Sequence, residues 1–252
     1  LPTTENPHVD QEWLKQEEAR LCRTEDGKRI YQARYLAIPV LSAYLVFPDF
    51  NRIKHVSEEL CAFDENLPVY LAIDPGGVYA VAAVQFKPLE ARGNEITNLT
   101  ACVIDELYET NTDTPAIIEE CKKRRWWHKV EGGAIDVAAT EQFRLWSVRG
   151  GVALMRKKVP IQAGIQTLNH WIANDTLLSS PHCVMLETEM ARYSYPTPTI
   201  AHMDTHDPRR RNPTDAWNHL TKAIIYLLVT KFGYYRVTKS RADRRPMWGR
   251  GG

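Results

Sequence analysis

The stretch Leu71–Phe86, LAIDPGGVYAVAAVQF, ends an apolar run with one acidic residue and follows it with Pro-Gly-Gly. Apolar residues on both sides of this turn predict two strands, 69–74 and 79–86, joined as a hairpin. Asp74 therefore falls at the tip of a buried strand. A buried charge is costly unless it is paired, bound to a cation or open to solvent. The alternative is that Asp74 only begins the turn, a position that Asp favours.

Strands and helices alternate downstream of this hairpin. A third apolar segment, 99–108, follows closely enough to form an antiparallel meander. Asp113 and Pro115 then predict a helix start, and Gly233 predicts the end of the last helix. Between them lie a strand in GGAIDVA, helices near 140–147 and 162–173 separated by a strand-like VALMRKKV, and helices in CVMLETEMARYSY and TDAWNHLTKAIIYLLVTKFG. The order β-β-β-α-β-α-β-α is that of the ribonuclease H-like fold, an α/β fold with a mixed five-stranded or larger sheet flanked by helices.

This topology brings three aspartates together. Its first and fourth strands are neighbours, so Asp74 and Asp136 end adjacent strands, and Asp215 begins the last helix beside the same edge. Converging carboxylates repel one another unless cations neutralise them. Oxygen ligands favour Mg²⁺ or Mn²⁺ over zinc, and two such ions ~4 Å apart can drive phosphodiester hydrolysis. We predict that Asp74, Asp136 and Asp215 are catalytic residues that bind two such ions.

Other polar residues near this edge have competing interpretations. Asp215 is also a suitable N-cap for the last helix. Strand alternation turns either Asp105 or Glu106 toward the helices, and Glu106 is predicted as an auxiliary metal ligand or else a surface acid. His219 lies one turn after Asp215 and either reaches the site or packs elsewhere.

Charge is balanced overall but uneven along the chain. The sequence has 32 Lys and Arg residues against 31 Asp and Glu residues, with basic clusters in KKRRWWHK, DPRRRN and the tail RVTKSRADRRPMWGR. Such clusters suit a protein that meets a polyanion on one face, although solvated surface charge is the alternative. The predicted DNA contacts are Arg209, Arg210, Arg211, Lys157 and Lys158.

Two further clusters have structural explanations. The histidines and aspartate of AHMDTH, 201–206, fall in a Pro-flanked loop, where solvated side chains are expected rather than a metal cluster. The aromatic-basic run 124–128 either stacks on nucleic acid or ends a helix with its Trp side chains in the core.

Composition limits the protein class. The five cysteines are scattered without a C-x-x-C pair, which argues against a disulfide framework or structural zinc site and fits a reducing cytosol. No apolar run approaches the ~20 residues that span a bilayer. The chain begins at Leu1 without Met, which suggests a piece of a longer protein. We predict a linker-like appendage over 1–66, a ribonuclease H-like domain over 67–239 and a basic flexible tail over 240–252.

Taken together, the motifs resemble the C-terminal nuclease domain of tailed-bacteriophage terminase large subunits. YLAIDPGGVYAVAAVQF is similar to the strand and hairpin with the family's first catalytic aspartate, GGAIDVAAT to the strand with the second, and NPTDAWNHLTKAIIYLL to the helix with the third. VIDELYE resembles the third strand, and YLVFPDFNRIKHV the linker to the motor ATPase. The range 193–212 stands where the family has a regulatory hairpin. Two departures are Val137 in place of the family's usual Pro and the absence of a phosphate-cradling ATPase loop.

The resemblance implies a metal-dependent endonuclease that cuts concatemeric double-stranded phage DNA during genome packaging. It implies two-metal-ion hydrolysis with Mg²⁺ or Mn²⁺, low sequence specificity, and basic residues that neutralise the DNA backbone. The implied partners are double-stranded DNA, the terminase ATPase domain, the small terminase subunit and the portal protein, in the host cytoplasm and without a membrane.

Three alternatives remain open from the sequence. A RuvC-like junction resolvase or transposase-type nuclease shares the fold, although the last helix carries no further acid after Asp215 that would favour transposase chemistry. An actin-like phosphotransferase also begins with a strand ending in Asp-x-Gly, but needs a duplicated domain and usually about 400 residues. A non-catalytic DNA-binding module would use the carboxylates structurally.

Overall fold

The computed structural model describes residues 10–22, 31, 44–88, 99–196 and 212–235. The predictions for Arg209, Arg210 and Arg211, for AHMDTH and for the basic tail therefore lie outside the described residues. The domain boundaries near 66 and 239 stay predictions.

Six strands form one mixed sheet in the order β5-β4-β1-β2-β3-β6. The strands are β1 Val69–Asp74, β2 Val78–Lys87, β3 Thr100–Thr110, β4 Val130–Ile135, β5 Leu154–Arg156 and β6 Leu177–Ser179. β1, β2 and β3 form an antiparallel meander, whereas β4 pairs in parallel with both β1 and β5, and β6 in parallel with β3. This mixed sheet flanked by helices confirms the predicted α/β fold class and the central pairing of the first and fourth strands.

Seven α-helices are present in the part of the chain that the structure describes. They are α1 Gln11–Leu21, α2 Arg52–His55, α3 Thr114–Lys122, α4 Thr140–Leu145, α5 Ile161–Ala173, α6 Val184–Arg192 and α7 His219–Phe232. Asp113 caps α3 as predicted, because its side chain accepts a hydrogen bond from the Ala116 N–H at 2.8 Å. None of these helices is long and apolar enough to cross a membrane.

Two details of the predicted order were wrong. The sequence did not predict β6, because its three residues LLS lie between Thr176 and Ser180 and so lack the longer apolar surroundings that indicated β5. The last helix begins at His219, not near Asp215. Trp217 explains this difference, since its φ of 57° lies in the left-handed region, which an α-helix cannot pass through.

The sheet separates two layers of core. Small side chains on β1, β2 and β4 face α7, and each is fully buried: Ala72, Ala80, Ala82 and Ala134. Larger side chains fill the opposite layer, where Leu71, Ile73 and Ile135 pack with α3 and Trp146. Because alanine keeps the helix close to the sheet, polar groups on α7 can reach the strand ends.

Segment 44–66 packs against both layers. Val46 and Phe47 are buried in the α7 layer, whereas Cys61 is buried in the opposite one. The buried Gln85 amide fixes the segment, because its Nε2 donates to the Asp64 carbonyl at 2.7 Å and its Oε1 accepts from the Asp64 N–H at 2.9 Å. The observed contacts agree with a segment that wraps onto the sheet.

Gly133 is a position where the sheet has no room for a side chain. An added Cβ would sit 2.1 Å from the Leu71 carbonyl oxygen on the neighbouring strand. Gly133→Ala should therefore force β1 and β4 apart and lower the free energy of unfolding by about 3 kcal/mol. Gly77→Ala is the control, because a Cβ there meets no atom within 4 Å. Urea denaturation measures both, and equal stability of the two variants would contradict the close pairing of β1 and β4.

Candidate active site

Asp74 and Asp136 lie side by side at one edge of the sheet. β1 and β4 run parallel with Ile73 opposite Ile135, so the next residue of each strand occupies the same edge. Asp74 is buried, with 8% of its surface exposed, and Asp136 is partly buried. The adjacency expected from the topology is thus observed. Because like charges at the ends of adjacent strands disfavour each other, the pair is a site where a cation would be stabilised.

Helix α7 presents one stripe of polar side chains to these carboxylates. His219, Lys222 and Tyr226 are three and four residues apart and so share one helix face. The His219 Nδ1 atom lies 3.1 Å from an oxygen of Asp74, and the Tyr226 hydroxyl donates to Asp136 at 3.3 Å. Each aspartate is therefore oriented by one side chain of α7.

The hydroxyl group of Tyr226 is close enough to feel the charges of both Asp74 and Asp136. Burial, followed by the charges of Asp74 and Asp136, raises the pKa of its phenol well above the ordinary value. The hydroxyl therefore stays protonated and remains a hydrogen-bond donor to Asp136.

Asp74 favours the charged form of His219. The hydrogen bond to Asp74 is the main cause that raises the pKa of His219 above 6.5, and burial opposes it. A group whose pKa is raised by folding stabilises the protein fully below its unfolded pKa. That contribution is lost as the pH rises through the folded pKa.

The stabilising effect of His219 should therefore depend on pH. In metal-free protein, the stability difference between wild type and His219→Gln should be larger near about pH 6 than near about pH 9. Urea unfolding at a series of pH values measures it. Parallel curves for the two proteins would contradict an ion pair between His219 and Asp74.

Asp215 is exposed to solvent and is paired with a lysine of α7. Its side chain is 92% exposed, and one carboxylate oxygen is 2.9 Å from the Lys222 Nζ atom. Asn218 Nδ2 also approaches that oxygen, at 3.3 Å. The hydrogen bond from Lys222 is the main cause that lowers the pKa of Asp215. Its role as a metal ligand stays a prediction.

Glu106 connects the sheet to α6. Its two carboxylate oxygens accept hydrogen bonds from the N–H groups of Met185 and Leu186, at 2.7 and 2.9 Å. Burial raises its pKa. Because both oxygens are engaged by the start of α6, Glu106 acts as a helix cap in this conformation. Its predicted part as an auxiliary ligand stays untested.

Glu189 binds the start of α7 in the way that Glu106 binds the start of α6. It is fully buried on α6 and accepts hydrogen bonds from the N–H groups of His219 and Thr221, at 2.8 and 2.9 Å. The carboxylate thus fixes the first turn of α7, which carries His219. Sequence reasoning did not single out Glu189. The available signal was its position beside Leu186 and Met190, an acid on the apolar face of a predicted helix.

Lys157 and Lys158 follow β5 at the same sheet edge. Arg156 pairs with Ile135, so both lysines continue from the point where Asp136 leaves β4. The Lys157 Nζ atom lies 5.1 Å from the centre of the Tyr234 ring, and both lysines are exposed. Their placement beside the carboxylates is compatible with the predicted DNA contacts, which stay a proposal.

The carboxylate pair fits a hydrated magnesium or manganese ion. No three His, Cys, Asp or Glu side chains form a metal-binding group within the described ranges. Mg²⁺ does not need such a cage, because it commonly keeps several waters and binds one or two carboxylates together with substrate phosphates. Asp74 and Asp136 supply oxygen ligands of that kind.

Comparison with known proteins gave matches by structure only. No family model and no curated protein matches the sequence. A large terminase from a thermophilic bacteriophage is 16% identical, with a TM-score of 0.59 over 90% of this chain and 53% of that chain. The P22 large terminase nuclease domain is 12% identical, with a TM-score of 0.54 over 72% of this chain and 89% of that chain. This chain has the fold of a terminase nuclease domain.

The match to the thermophilic phage protein covers nearly all of this chain but only part of that protein. In another crystal form of that large terminase, the match covers 92% of this chain and 55% of that chain, with a TM-score of 0.58 and 14% identity. The chain therefore spans about half the length of the thermophilic phage terminase. At these identities the likeness establishes the ribonuclease H-like fold, and the site itself has to support the activity.

Proposed function

We propose that this chain is a metal-dependent endonuclease that cuts concatemeric double-stranded phage DNA during genome packaging, with low sequence specificity. The observation that carries the proposal is the pair Asp74 and Asp136 at the ends of adjacent parallel strands, on a terminase nuclease fold. We include in the proposal the terminase ATPase domain, the small terminase subunit and the portal protein as partners, acting in the host cytoplasm.

Asp74 and Asp136 would hold Mg²⁺ or Mn²⁺, with His219 beside them. When bound, such an ion polarises a phosphate and makes its bound water a better nucleophile. A second ion needs a further ligand, and Asp215 is the predicted one.

The surrounding residues orient the two carboxylates. Tyr226 donates to one oxygen of Asp136, and the Ala138 N–H donates to the other at 3.0 Å. His219 holds one oxygen of Asp74. Because a carboxylate oxygen has two lone pairs, each of these oxygens keeps a further site for a ligand bond.

The basic residues would hold the substrate. We propose that Lys157 and Lys158, with Arg209, Arg210 and Arg211, contact DNA phosphates. Such contacts position the duplex without reading its sequence, which agrees with low sequence specificity.

Metal removal tests the activity directly. Purified protein should nick supercoiled plasmid and cut linear duplex in Mg²⁺ or Mn²⁺, and lose this activity in EDTA. Cleavage should fall steeply with salt, because phosphate contacts release counterions. A four-way DNA junction is tested as a substrate in parallel. A junction resolvase would cut it much faster than linear duplex, whereas the proposed endonuclease should not prefer it. Cleavage that persists in EDTA, or no cleavage with either metal, would refute the proposal.

A further inference from the structure

Lys222 has no part in the proposed metal chemistry, although it forms an ion pair with Asp215. Lys222 lies on the polar stripe of α7, between His219 and Tyr226. Its side chain is only 24% exposed. A mostly covered lysine therefore lies on the same face of α7 as His219 and Tyr226, the two residues that contact the carboxylates.

A pocket of about 360 Å³ opens beside this lysine. Tyr226 lines this pocket and also donates a hydrogen bond to Asp136, so the pocket borders the carboxylate site. Its polar lining includes Tyr193, Asp215, Asn218, Lys222 and Tyr226. Lys222 is the cationic group of this lining and can donate to an anion that enters.

Asp215 neutralises Lys222 but is weakly held. The two atoms are 2.9 Å apart, but the Asp215 side chain is 92% exposed. Ion pairs open to solvent contribute little to stability, because water screens the attraction and two side chains lose freedom. A phosphate oxygen can therefore replace Asp215 on Lys222 without a large cost.

We propose that Lys222 binds a DNA phosphate next to the scissile bond, and that Asp215 is its exchangeable counterion. The inference deepens the proposed nuclease function and rests on it. Lys222 would then place positive charge where the phosphate becomes more negative during hydrolysis. This assigns Asp215 a role different from the metal ligand predicted from the sequence.

The two roles of Asp215 predict different effects of the same substitution on Mn²⁺ binding. If Asp215 is a counterion, Asp215→Asn frees Lys222 and removes a negative charge, so DNA binds more tightly. If Asp215 is a ligand, Asp215→Asn weakens Mn²⁺ binding. Lys222→Met removes the charge and keeps most of the side-chain volume.

Another ion pair of this chain supplies matched controls. On α1, the Lys15 Nζ atom lies 3.7 Å from a Glu12 carboxylate oxygen. Lys15→Met and Glu12→Gln therefore make the same charge changes on another helix.

Binding is measured without cleavage, by fluorescence anisotropy of a labelled duplex in EDTA at several salt concentrations. Lys222→Met should weaken binding about fivefold and reduce the slope of log K against log salt by about 0.9, the value for one lost phosphate contact. Asp215→Asn should tighten binding about threefold, and the two control variants should match wild type. Unchanged binding by Lys222→Met overturns the proposal.

Metal binding and cleavage complete the test. Calorimetric titration with Mn²⁺ should give the same affinity for wild type, Asp215→Asn and Lys222→Met, whereas cleavage by Lys222→Met should fall about 100-fold. A tenfold or greater loss of Mn²⁺ affinity in Asp215→Asn overturns the counterion role and leaves the nuclease proposal intact. If wild type neither binds Mn²⁺ nor cuts DNA, the nuclease proposal fails, and with it the role of Lys222 in cleavage.

Discussion

Replacing Asp74 by Asn is expected to lower metal-dependent DNA cleavage by at least about 10³-fold, because several kcal/mol of charge stabilisation depend on this carboxylate. Asn has the same shape but no negative charge, and Asp74 is buried against His219. Asp136→Asn should have a comparable effect. Because the two residues act as one unit, the double variant should be little worse than either single variant.

Plasmid nicking, with Mn²⁺ titration on the same samples, measures this loss. Asp113→Asn is the matched control, because Asp113 caps α3 and Asn caps helices equally well. Wild-type rates are expected for it. Full nicking by Asp74→Asn and Asp136→Asn, with the control also active, would remove the catalytic assignment and leave only the fold.

Glu189→Ala is expected to cost about 5 kcal/mol of unfolding free energy, because it leaves buried N–H groups without an acceptor and opens a cavity. The carboxylate is fully buried and accepts from the N–H groups of His219 and Thr221. Its loss also frees the turn that holds His219 against Asp74. Glu189→Gln keeps one acceptor oxygen and should cost less, but its amide group would face N–H donors.

Chemical denaturation of the metal-free protein measures the effect on stability. Glu119→Ala, on the surface of α3, is the control and should change stability by less than about 1 kcal/mol, since its ion pair with Lys122 is exposed. If Glu189→Ala were as stable as the control, the capping of α7 by Glu189 would not be the interaction that fixes this helix.

The sequence predicted the parts of the fold that local patterns determine. The hairpin around Pro75–Gly77 and the apolar strand before Asp136 are strong signals, and the topology then required Asp74 and Asp136 to be neighbours. Strand β6 was missed because its three residues lie between Thr176 and Ser180 and lack longer apolar surroundings. The start of α7 was misplaced because the left-handed backbone at Trp217 is not visible in residue type.

The partners of polar groups could not be predicted, since they depend on packing between distant elements. Glu106 and Glu189 are adjacent to apolar residues in sequence, but only the tertiary structure shows that each meets the start of a helix. The pairing of Asp215 with Lys222 likewise depends on the turn between them. The sequence left open whether His219 reaches the site or packs elsewhere. Its contact with Asp74 depends on the close approach of α7 to the sheet.

The cap formed by Glu189 has a consequence for the motions of the molecule. The first amides of a helix usually exchange their hydrogens with solvent quickly, because they lack acceptors and the end frays. In α7 the amides of His219 and Thr221 are bound by a carboxylate that is itself inside the core. Their deuterium uptake should therefore follow global unfolding, which makes the first turn of α7 as long-lived as the centre of the sheet.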